Sequence, residues 1–265
     1  MDPVAFELGP FAVRWYGIII SSAVAIGILL AYRETARHKI DPDHVLSIAI
    51  AALPAAFIGA RVYYVIFRWN EYFRFYPEEI IAVWHGGLAI HGGIIGGVLA
   101  GYLVVRKYKL NFWKMADIFA PSLILGQAIG RWGNFINQEA YGYPTDLPWA
   151  MYIDGAYRHP TFLYESLWNL GVFAYLIYRR HHPQTREGEL FTSYLILYSL
   201  GRVVIEMFRT DSLMLGPFRV AQLISIAIIA AGVILYFYKV KGGPLYNLKE
   251  AKGPQKGKGY GPKKK

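Results

Sequence analysis

Residues 218–238 read FRVAQLISIAIIAAGVILYFY and contain a single charged side chain, Arg219. A helix needs about 20 mostly apolar residues to cross the hydrocarbon core of a bilayer. This run is long enough, and it predicts a membrane-spanning helix. Six other runs share its length and apolar character, although Arg and Asn residues weaken the fourth and Arg and Glu residues the sixth. The seven predicted spans cover approximately residues 10–32, 45–67, 86–105, 117–137, 160–178, 189–209 and 218–238.

The composition of the whole chain agrees with this prediction. Of its 265 residues, 55% are hydrophobic and 17% are charged, against about 25% charged in an ordinary soluble domain. The apolar content excludes a disordered chain. Because Cys is absent, disulfides, Cys-ligated metal sites and a thiol nucleophile of the protein's own are excluded. We therefore predict an all-α, polytopic membrane protein with seven transmembrane helices.

The positive charge is concentrated at the C-terminal end. The net charge is +10, and the nine Lys and one Glu from Lys239 onward account for +8 of it. The rest of the chain is nearly neutral, so nucleic acid is not predicted as a partner. Residues 241–265 are predicted to be a basic, disordered tail on the anionic inner leaflet, because a Gly-, Pro- and Lys-rich segment cannot bury a core.

Cationic residues alternate between successive connections. The segments after the first, third, fifth and seventh spans are rich in Lys and Arg, and the others are poorer. The positive-inside rule then places the N-terminus outside and the C-terminus in the cytoplasm. Residues 1–240 would form one transmembrane domain, which would hold any functional site. Residues 138–159, rich in Tyr, Trp, Pro and Gly, would pack on it as a small outer cap.

Ionisable residues inside a span are costly and indicate function by default. Tyr198, Arg202, Glu206 and Arg209 are spaced by three or four residues and would share one narrow stripe of a helix. Arg202 and Glu206 form an i,i+4 pair. Either the pair holds span six inside the bundle, or Arg202 faces an anionic substrate, whose oxygens its planar fork suits. Arg209 lies near the interface, where snorkelling would suffice.

The densest polar run is GRWGNFINQE, residues 130–139, at the outer end of the fourth span. Arg131 and Asn134 are three residues apart and share a helix face, and Asn137 and Glu139 follow. A cation, two amides and a carboxylate there are consistent with a site for a polar headgroup. The same residues could also act only as helix caps and interfacial anchors.

A glycine-rich run, WHGGLAIHGGIIGG at residues 84–97, opens the third span. Its glycines weaken a helix but let helices approach closely. His85 and His91 are six residues apart and cannot jointly hold a metal on a regular helix. His91 is either a structural residue or a proton acceptor. The ligand spacings that mark catalytic metal sites are absent from the sequence, so no metal is predicted.

Three other polar positions enter the candidate site. Arg61 is central in the second span and needs a partner, and Tyr16 follows Arg14 at the start of the first span, where an aromatic belt would also explain it. We expect Arg131, Arg202, Arg14 and His91 to converge toward the outer leaflet. Several arginines without matching acids favour an anion, and a phospholipid headgroup is the anion available inside a bilayer.

With these residues in view, the sequence resembles the prolipoprotein diacylglyceryl transferase family over approximately residues 2–240. GRWGNFINQE is similar to the family's G-R-x-G-N-F-x-N-x-E, and the HGG-LAI-HGG run matches the family's pattern at His91 rather than His85. RWYG and YSLGRVVIEMFR fit as well. The resemblance implies a multi-pass protein of the bacterial cytoplasmic membrane that moves a diacylglyceryl group from phosphatidylglycerol to the Cys thiol of a lipoprotein signal peptide. A thioether forms and glycerol 1-phosphate leaves.

The resemblance also implies roles for residues. Arg131, helped by Asn134, would bind phosphatidylglycerol, and His91 would be the base or a positioning residue. Arg202, supported by Tyr198 and Glu206, would be the essential cation of span six, and Tyr16 matches a functional Tyr. Cofactors are not expected, because the lipid carries its own leaving group. The partners are phosphatidylglycerol, prolipoprotein signal peptides and membrane lipids. The alternative is a secondary transporter or channel for an anionic solute, which predicts inverted repeats that the sequence does not display.

Overall fold

The computed structural model describes residues 2–9 and 11–246, and most of this part of the chain is helical. The predicted tail therefore lies outside the described residues from position 247 onward. Long apolar runs form the helices, because a helix satisfies most backbone polar groups within the segment itself. The described part contains seven α-helices: α1 (Trp15–His38), α2 (Asp43–Phe67), α3 (Ile90–Lys107), α4 (Phe112–Ile136), α5 (Thr161–Arg180), α6 (Glu189–Ile205) and α7 (Val220–Leu235).

The surfaces of these helices are apolar. Ile50 is 74% exposed and Ile58 is 61% exposed, both on α2. Such surfaces are typical of helices surrounded by hydrocarbon rather than water. By length and composition, four segments among the described residues are able to cross a membrane: Trp15–His38, Asp43–Phe67, Glu189–Phe208 and Val220–Val240. The chain is therefore a mostly helical membrane protein.

Helix α4 is the centre of the bundle, since it packs against α1, α5 and α6. Two clusters of buried side chains fill the space around it. The first joins α1 through α4 near one end of the bundle and consists of Ala31, Val45, Ile48, Val105, Met115 and Ile118. The second joins α4, α5 and α6 and consists of Ala120, Ile124, Val172, Leu176, Leu190 and Tyr194.

The two ends of the bundle differ in the length of their connections. At one end, here called the short-loop end, residues 39–42, 108–111 and 181–188 join the helices. At the other, the long-loop end, the connections span residues 68–89, 137–160 and 206–219. Three two-stranded antiparallel hairpins flank or lie within the long-loop segments: β1 (Val4–Leu8) with β2 (Phe11–Arg14), β3 (Met151–Ile153) with β4 (Ala156–Arg158), and β5 (Met214–Leu215) with β6 (Phe218–Arg219).

The strands correct the boundary of the first predicted span. The sequence predicted a helix from about residue 10, but α1 begins at Trp15. The backbone of residues 11–14 is instead paired with residues 4–8, and this pairing satisfies its polar groups outside a helix.

The third predicted span also begins later than expected, at Ile90 rather than residue 86. Gly86 and Gly87 have φ values of 88° and 78°, a conformation that is accessible to glycine but ends a regular helix. Further along, Gly92 packs against the backbone of Gly59, where an added Cβ would clash with the Gly59 carbonyl oxygen. The glycines of α3 thus allow the close approach to α2 that the sequence predicted.

Candidate functional site

The carboxylate of Glu165, on the second turn of α5, lies at the centre of a group of ions. Glu165 is only 4% exposed. Its Oε2 lies 2.5 Å from Arg131 Nη2 on α4, and its Oε1 lies 2.7 Å from Arg202 Nη1 on α6. Arg209 Nη1 approaches the same Oε1 to 3.4 Å. We call Glu165, Arg131, Arg202, Arg209 and Glu206 the arginine cluster; it brings three helices together at the long-loop end.

Glu206 is the second buried acid of the cluster, with 2% exposure. Its Oε2 lies 2.7 Å from Arg202 Nη2, so the i,i+4 contact predicted from the sequence is confirmed. Arg202 therefore spans two carboxylates, one on α5 and one just past the end of α6. This double attachment fixes the plane of its guanidinium.

Arg209 corrects two predictions. The sequence placed it on a continuous helical stripe, but α6 ends at Ile205 and a 3-10 turn, Glu206–Phe208, follows. Arg209 itself is extended, and its backbone pairs with Gly142. Its side chain does not snorkel to the interface: it is buried and makes two hydrogen bonds to Asp211, of 2.9 and 2.7 Å.

The expectation of arginines without matching acids is also wrong. Each of the three arginines pairs with at least one acid: Glu165, Glu206 or Asp211. The physical reason is that a buried guanidinium needs a counter-ion, whether or not it also binds a ligand. Glu165 lies near the start of the predicted fifth span, residues 160–178, but was not among the site residues predicted from the sequence. An ionisable acid inside a predicted apolar span was the signal that could have included it.

A chain of amides extends from Arg131 toward the solvent. Arg131 Nη1 lies 3.5 Å from Asn134 Oδ1, and Asn134 Nδ2 donates to Glu139 Oε1 at 2.8 Å. Asn137 Nδ2 donates to the same oxygen at 3.3 Å. Tyr16 packs its ring against Gly133, where a Cβ would clash with it. With Arg202 and Glu206, which Glu165 links to Arg131, the structure thus brings together seven of the predicted site residues.

Tyr198 lies one turn before Arg202 on α6 and stacks on Tyr194 with 6.0 Å between ring centroids. The Tyr194 hydroxyl accepts a hydrogen bond of 3.0 Å from Gln127 Nε2, and Gln127 lies one turn before Arg131 on α4. A polar row of two tyrosines and an amide therefore continues from the arginine cluster into the bundle.

Arg131 and Arg202 keep hydrogen-bonding capacity. A guanidinium carries five N–H groups. Among the residues that the structure describes, Arg202 directs two of them at carboxylates, and Arg131 directs one at Glu165 and one at Asn134. Each side chain is also partly exposed, at 19% for Arg131 and 17% for Arg202. Both arginines can therefore donate further hydrogen bonds to a ligand that has anionic oxygens.

An apolar cleft of about 160 Å³ adjoins the cluster between α1, α4 and α5. Its walls include the residues directly after Arg131 and Glu165, and Trp132 Nε1 donates to Ser166 Oγ at 3.2 Å. The lining of the cleft is therefore apolar, although it starts one residue from Arg131 and Glu165 in the sequence. The cleft is lined by Ile19, Ala128, Ile129, Trp132, Ser166 and Leu170.

Arg61 lies in a different environment from the cluster. Its five N–H groups meet five backbone carbonyls, and its guanidinium lies 5.3 Å from the centre of the Phe73 ring. Because the backbone uses all five N–H groups, these contacts argue against the predicted role of Arg61 in the substrate site. The acceptors are the carbonyl oxygens of Ile80 at 3.0 Å, Gly86 at 2.5 Å, Gly87 at 2.9 Å, Glu79 at 2.5 Å and Ala82 at 3.3 Å.

The expected convergence is incomplete. His91, on the first turn of α3, is exposed, and its ring lies 5.9 Å from that of Tyr63. Arg14 is the last residue of β2; it is exposed, and its backbone pairs with Val4 of β1. Within the described part of the chain, neither side chain contacts Arg131 or Arg202. Only the two arginines of α4 and α6 meet as predicted.

Outside the helices, the Arg209–Asp211 pair has shifted acid–base properties. Burial works against both charges, but the hydrogen bonds between the two groups outweigh it. The pKa of the Asp211 carboxyl therefore lies below its ordinary value, and the pKa of Arg209 lies above its own. Both groups are charged at neutral pH. Among the described residues, no group of three or more His, Asp or Glu is placed to hold a metal ion.

Comparisons with known proteins point to one family. The model of a family described as prolipoprotein diacylglyceryl transferase matches residues 3–238. A relative from Listeria innocua is 49% identical over 96% of this chain and 95% of its own length. One from a Nostoc species is 50% identical over 87% of both chains, and one from Bacillus mycoides is 50% identical over 92% of this chain and 94% of its own. All three relatives bear the name phosphatidylglycerol–prolipoprotein diacylglyceryl transferase.

Proposed function

We propose that the arginine cluster is the site of diacylglyceryl transfer in this chain, which belongs to the prolipoprotein diacylglyceryl transferase family. The reaction moves the diacylglyceryl group of phosphatidylglycerol to prolipoproteins. One observation carries the proposal: Arg131 and Arg202, from separate helices, meet on one carboxylate and keep N–H groups that no described residue uses. Two guanidiniums so placed suit the phosphate of a lipid headgroup.

We place the protein in the bacterial cytoplasmic membrane with all seven α-helices spanning it. The N-terminus and the long-loop end face outward, and the short-loop end and the C-terminus face the cytoplasm. Lys and Arg residues in the segments beyond α1, α3, α5 and α7 support this orientation. Residues 138–159 then cover the cluster from outside. The hydrogen bond from Tyr143 N to Phe208 O, 2.9 Å, ties this segment to the 3-10 turn that follows α6.

Arg131 binds the phosphate of phosphatidylglycerol, and Arg202 stabilises the charge that grows on it as it leaves. Asn134, Asn137 and Glu139 lie on the outer side of Arg131, where the hydroxyl groups of the glycerol headgroup would meet amides and a carboxylate. An acyl chain would enter the apolar cleft lined by Trp132. The lipid and the signal peptide both reach the cluster laterally from the bilayer.

The chemical step exchanges one bond for another. The peptide's Cys thiol loses its proton, and the sulfur attacks the diacylglyceryl carbon that bears the phosphate. A C–S bond forms, the C–O bond to phosphate breaks, and glycerol 1-phosphate leaves with the electron pair. Because the thiolate is only a few per cent populated at neutral pH, the reaction needs either a base or a nearby positive charge. His91 is our candidate for the base and Arg202 for the charge, with Tyr198 and Glu206 supporting Arg202. Tyr16, which packs beside Arg131 at Gly133, is the third proposed catalytic residue.

The test uses the purified full-length protein in vesicles of labelled phosphatidylglycerol with a signal peptide that ends in its acceptor Cys. We expect the peptide's mass to rise by the diacylglyceryl group. A peptide with Ser in place of that Cys should remain unmodified, which controls for non-specific acylation. An unchanged mass, together with flux of an anionic solute across the vesicle, would favour the transporter alternative instead.

A further inference from the structure

We propose that Glu165 is a positioning residue: its fixed carboxylate sets the spacing of Arg131 and Arg202 and offsets part of their charge, so that the phosphate product is released. The proposal rests on the function assigned to the arginine cluster above. Glu165 has no part in the transfer of protons or of the diacylglyceryl group. Its action is on the two guanidiniums alone.

The geometry places Glu165 as the link between the two arginines. Each of its carboxylate oxygens binds a different guanidinium: Oε2 meets Arg131 at 2.5 Å and Oε1 meets Arg202 at 2.7 Å. Among the described residues, Glu165 is the only acid that forms an ion pair with Arg131, whereas Arg202 also has Glu206. Loss of the Glu165 charge would therefore free Arg131 more than Arg202.

The two residues next to Glu165 in the sequence are both held by hydrogen bonds of their side chains. The Tyr164 hydroxyl accepts from Trp149 Nε1 at 2.8 Å. The next residue, Ser166, donates to the carbonyl of Ala128 at 3.0 Å and accepts from Trp132. Two adjacent residues of α4, 131 and 132, thus contact two adjacent residues of α5, 165 and 166. This fixed register lets Glu165 impose a position on Arg131 rather than follow it.

The charge balance gives Glu165 a second effect. Three guanidiniums face the buried carboxylates of Glu165 and Glu206 and, at the exposed edge, the carboxylate of Asp211, so their charges balance. A neutral residue at position 165 would leave one excess positive charge. A phosphate monoester, which carries more charge than the phosphodiester of the lipid, would then be held more tightly and leave more slowly.

The decisive variant is Glu165→Gln, which keeps the size of the side chain and removes its charge. We expect kcat to fall by about tenfold because the guanidiniums lose their alignment. We expect the inhibition constant of added glycerol 1-phosphate to fall by about threefold, which indicates tighter product binding. If Glu165 were purely structural, its replacement would lower both kcat and the affinity for glycerol 1-phosphate. A parallel loss of these two quantities therefore overturns the proposal, and so does an unchanged kcat.

Two further variants keep the test sharp. Glu165→Asp keeps the charge but retracts it by one methylene, so we expect product inhibition as in the wild type and a reduced kcat. A wild-type kcat in this variant would overturn the proposal, even if the Gln variant does not fold. Glu189→Gln is the matched control, because Glu189 is also buried and pairs with Arg179 at 2.6 Å at the short-loop end. Its kcat and product inhibition should not change. Peptide modification by the wild type that Arg131→Ala abolishes would uphold the proposed function whatever the Glu165 variants show.

Discussion

Arg61 and Arg202 both lie on apolar helices, yet their surroundings are opposite. Arg61 meets five backbone carbonyls, which use all of its N–H groups and hold the loop of residues 79–87 against α2. Arg202 meets two carboxylates and keeps three N–H groups that no described residue uses. From this comparison we infer that Arg202, with N–H groups left over, is placed to bind a ligand and that Arg61 is not.

The same distinction has an energetic side. Backbone carbonyls are neutral dipoles that cannot leave, so the carbonyl cage of Arg61 is a permanent part of the fold. Carboxylates also compensate the charge of Arg202, but a ligand with anionic oxygens can add to this arrangement at the unused edge of the guanidinium. We therefore expect substitutions at Arg61 to change stability and substitutions in the arginine cluster to change activity.

The largest effect on activity should come from Arg131→Ala. The variant loses a charged donor at the phosphate, and we expect diacylglyceryl transfer to fall by about a thousandfold or more. Its thermal unfolding in detergent should remain cooperative. The measurement is the rate of the peptide's mass shift. Normal transfer by a folded Arg131→Ala protein would remove Arg131 from the site.

Arg61→Met should have the largest effect on stability. Its five carbonyl partners would lose their donors, and each unsatisfied buried group costs about 1–3 kcal/mol before the loop relaxes. We expect a loss of about 3 kcal/mol, measured by thermal unfolding, with the activity per folded molecule unchanged. Arg33→Met, at an exposed position of α1, is the control and should not alter either quantity. A stable but inactive Arg61→Met protein would contradict the distinction drawn here.

Much of this architecture could be predicted from the sequence. Length and apolarity located the helices, because these two properties decide whether a segment can satisfy its backbone inside hydrocarbon. The i,i+4 spacing of Arg202 and Glu206 also predicted their contact, since that distance is set by the helix itself.

Contacts between helices could not be predicted in the same way. Which acid faces Arg131 depends on the register of α4 against α5, and nothing in the local sequence near Arg131 specifies Glu165. The cage of Arg61 depends on two glycines with positive φ and on a loop that follows α2 by more than ten residues. For the same reason, sequence reasoning grouped Arg61 with the cluster arginines and His91 with the converging residues.

Arg202→Lys tests whether the two carboxylates around Arg202 need a planar fork. Lysine keeps the charge but cannot hold Glu165 and Glu206 with two nitrogens at once. We expect transfer to fall by about a hundredfold, close to the effect of Arg202→Ala. The comparison of kcat for the Lys and Ala variants is the readout. A nearly active Lys variant would mean that charge alone suffices at this position.

His91→Asn separates a base from a positioning residue on α3. If His91 takes the thiol proton, the variant should lose about a hundredfold in kcat/KM at pH 7. The deficit should shrink as the pH rises past about 8.5, where the thiol ionises unaided. A pH series of both proteins measures this. A deficit that stays constant across the series would assign His91 to positioning and leave Arg202 to lower the thiol pKa.

Asp211→Asn should have the smallest effect, because Asp211 lies at the exposed edge of the cluster, with about half of its side chain in solvent. The pKa of Asp211 is lower in the folded protein than its ordinary value, so its charge stabilises the fold above the unfolded pKa of about 4 and this contribution is lost as the pH falls through the folded pKa. We expect the wild type to exceed the variant by about 0.5 kcal/mol at pH 7, since exposed pairs are screened. The difference should vanish in more acidic buffer. Thermal midpoints of the two proteins from pH 7 downward measure this difference. A difference that persists at the lowest pH would mean that the asparagine disturbs the packing of Arg209, and that the charge of Asp211 is not what stabilises this edge of the arginine cluster.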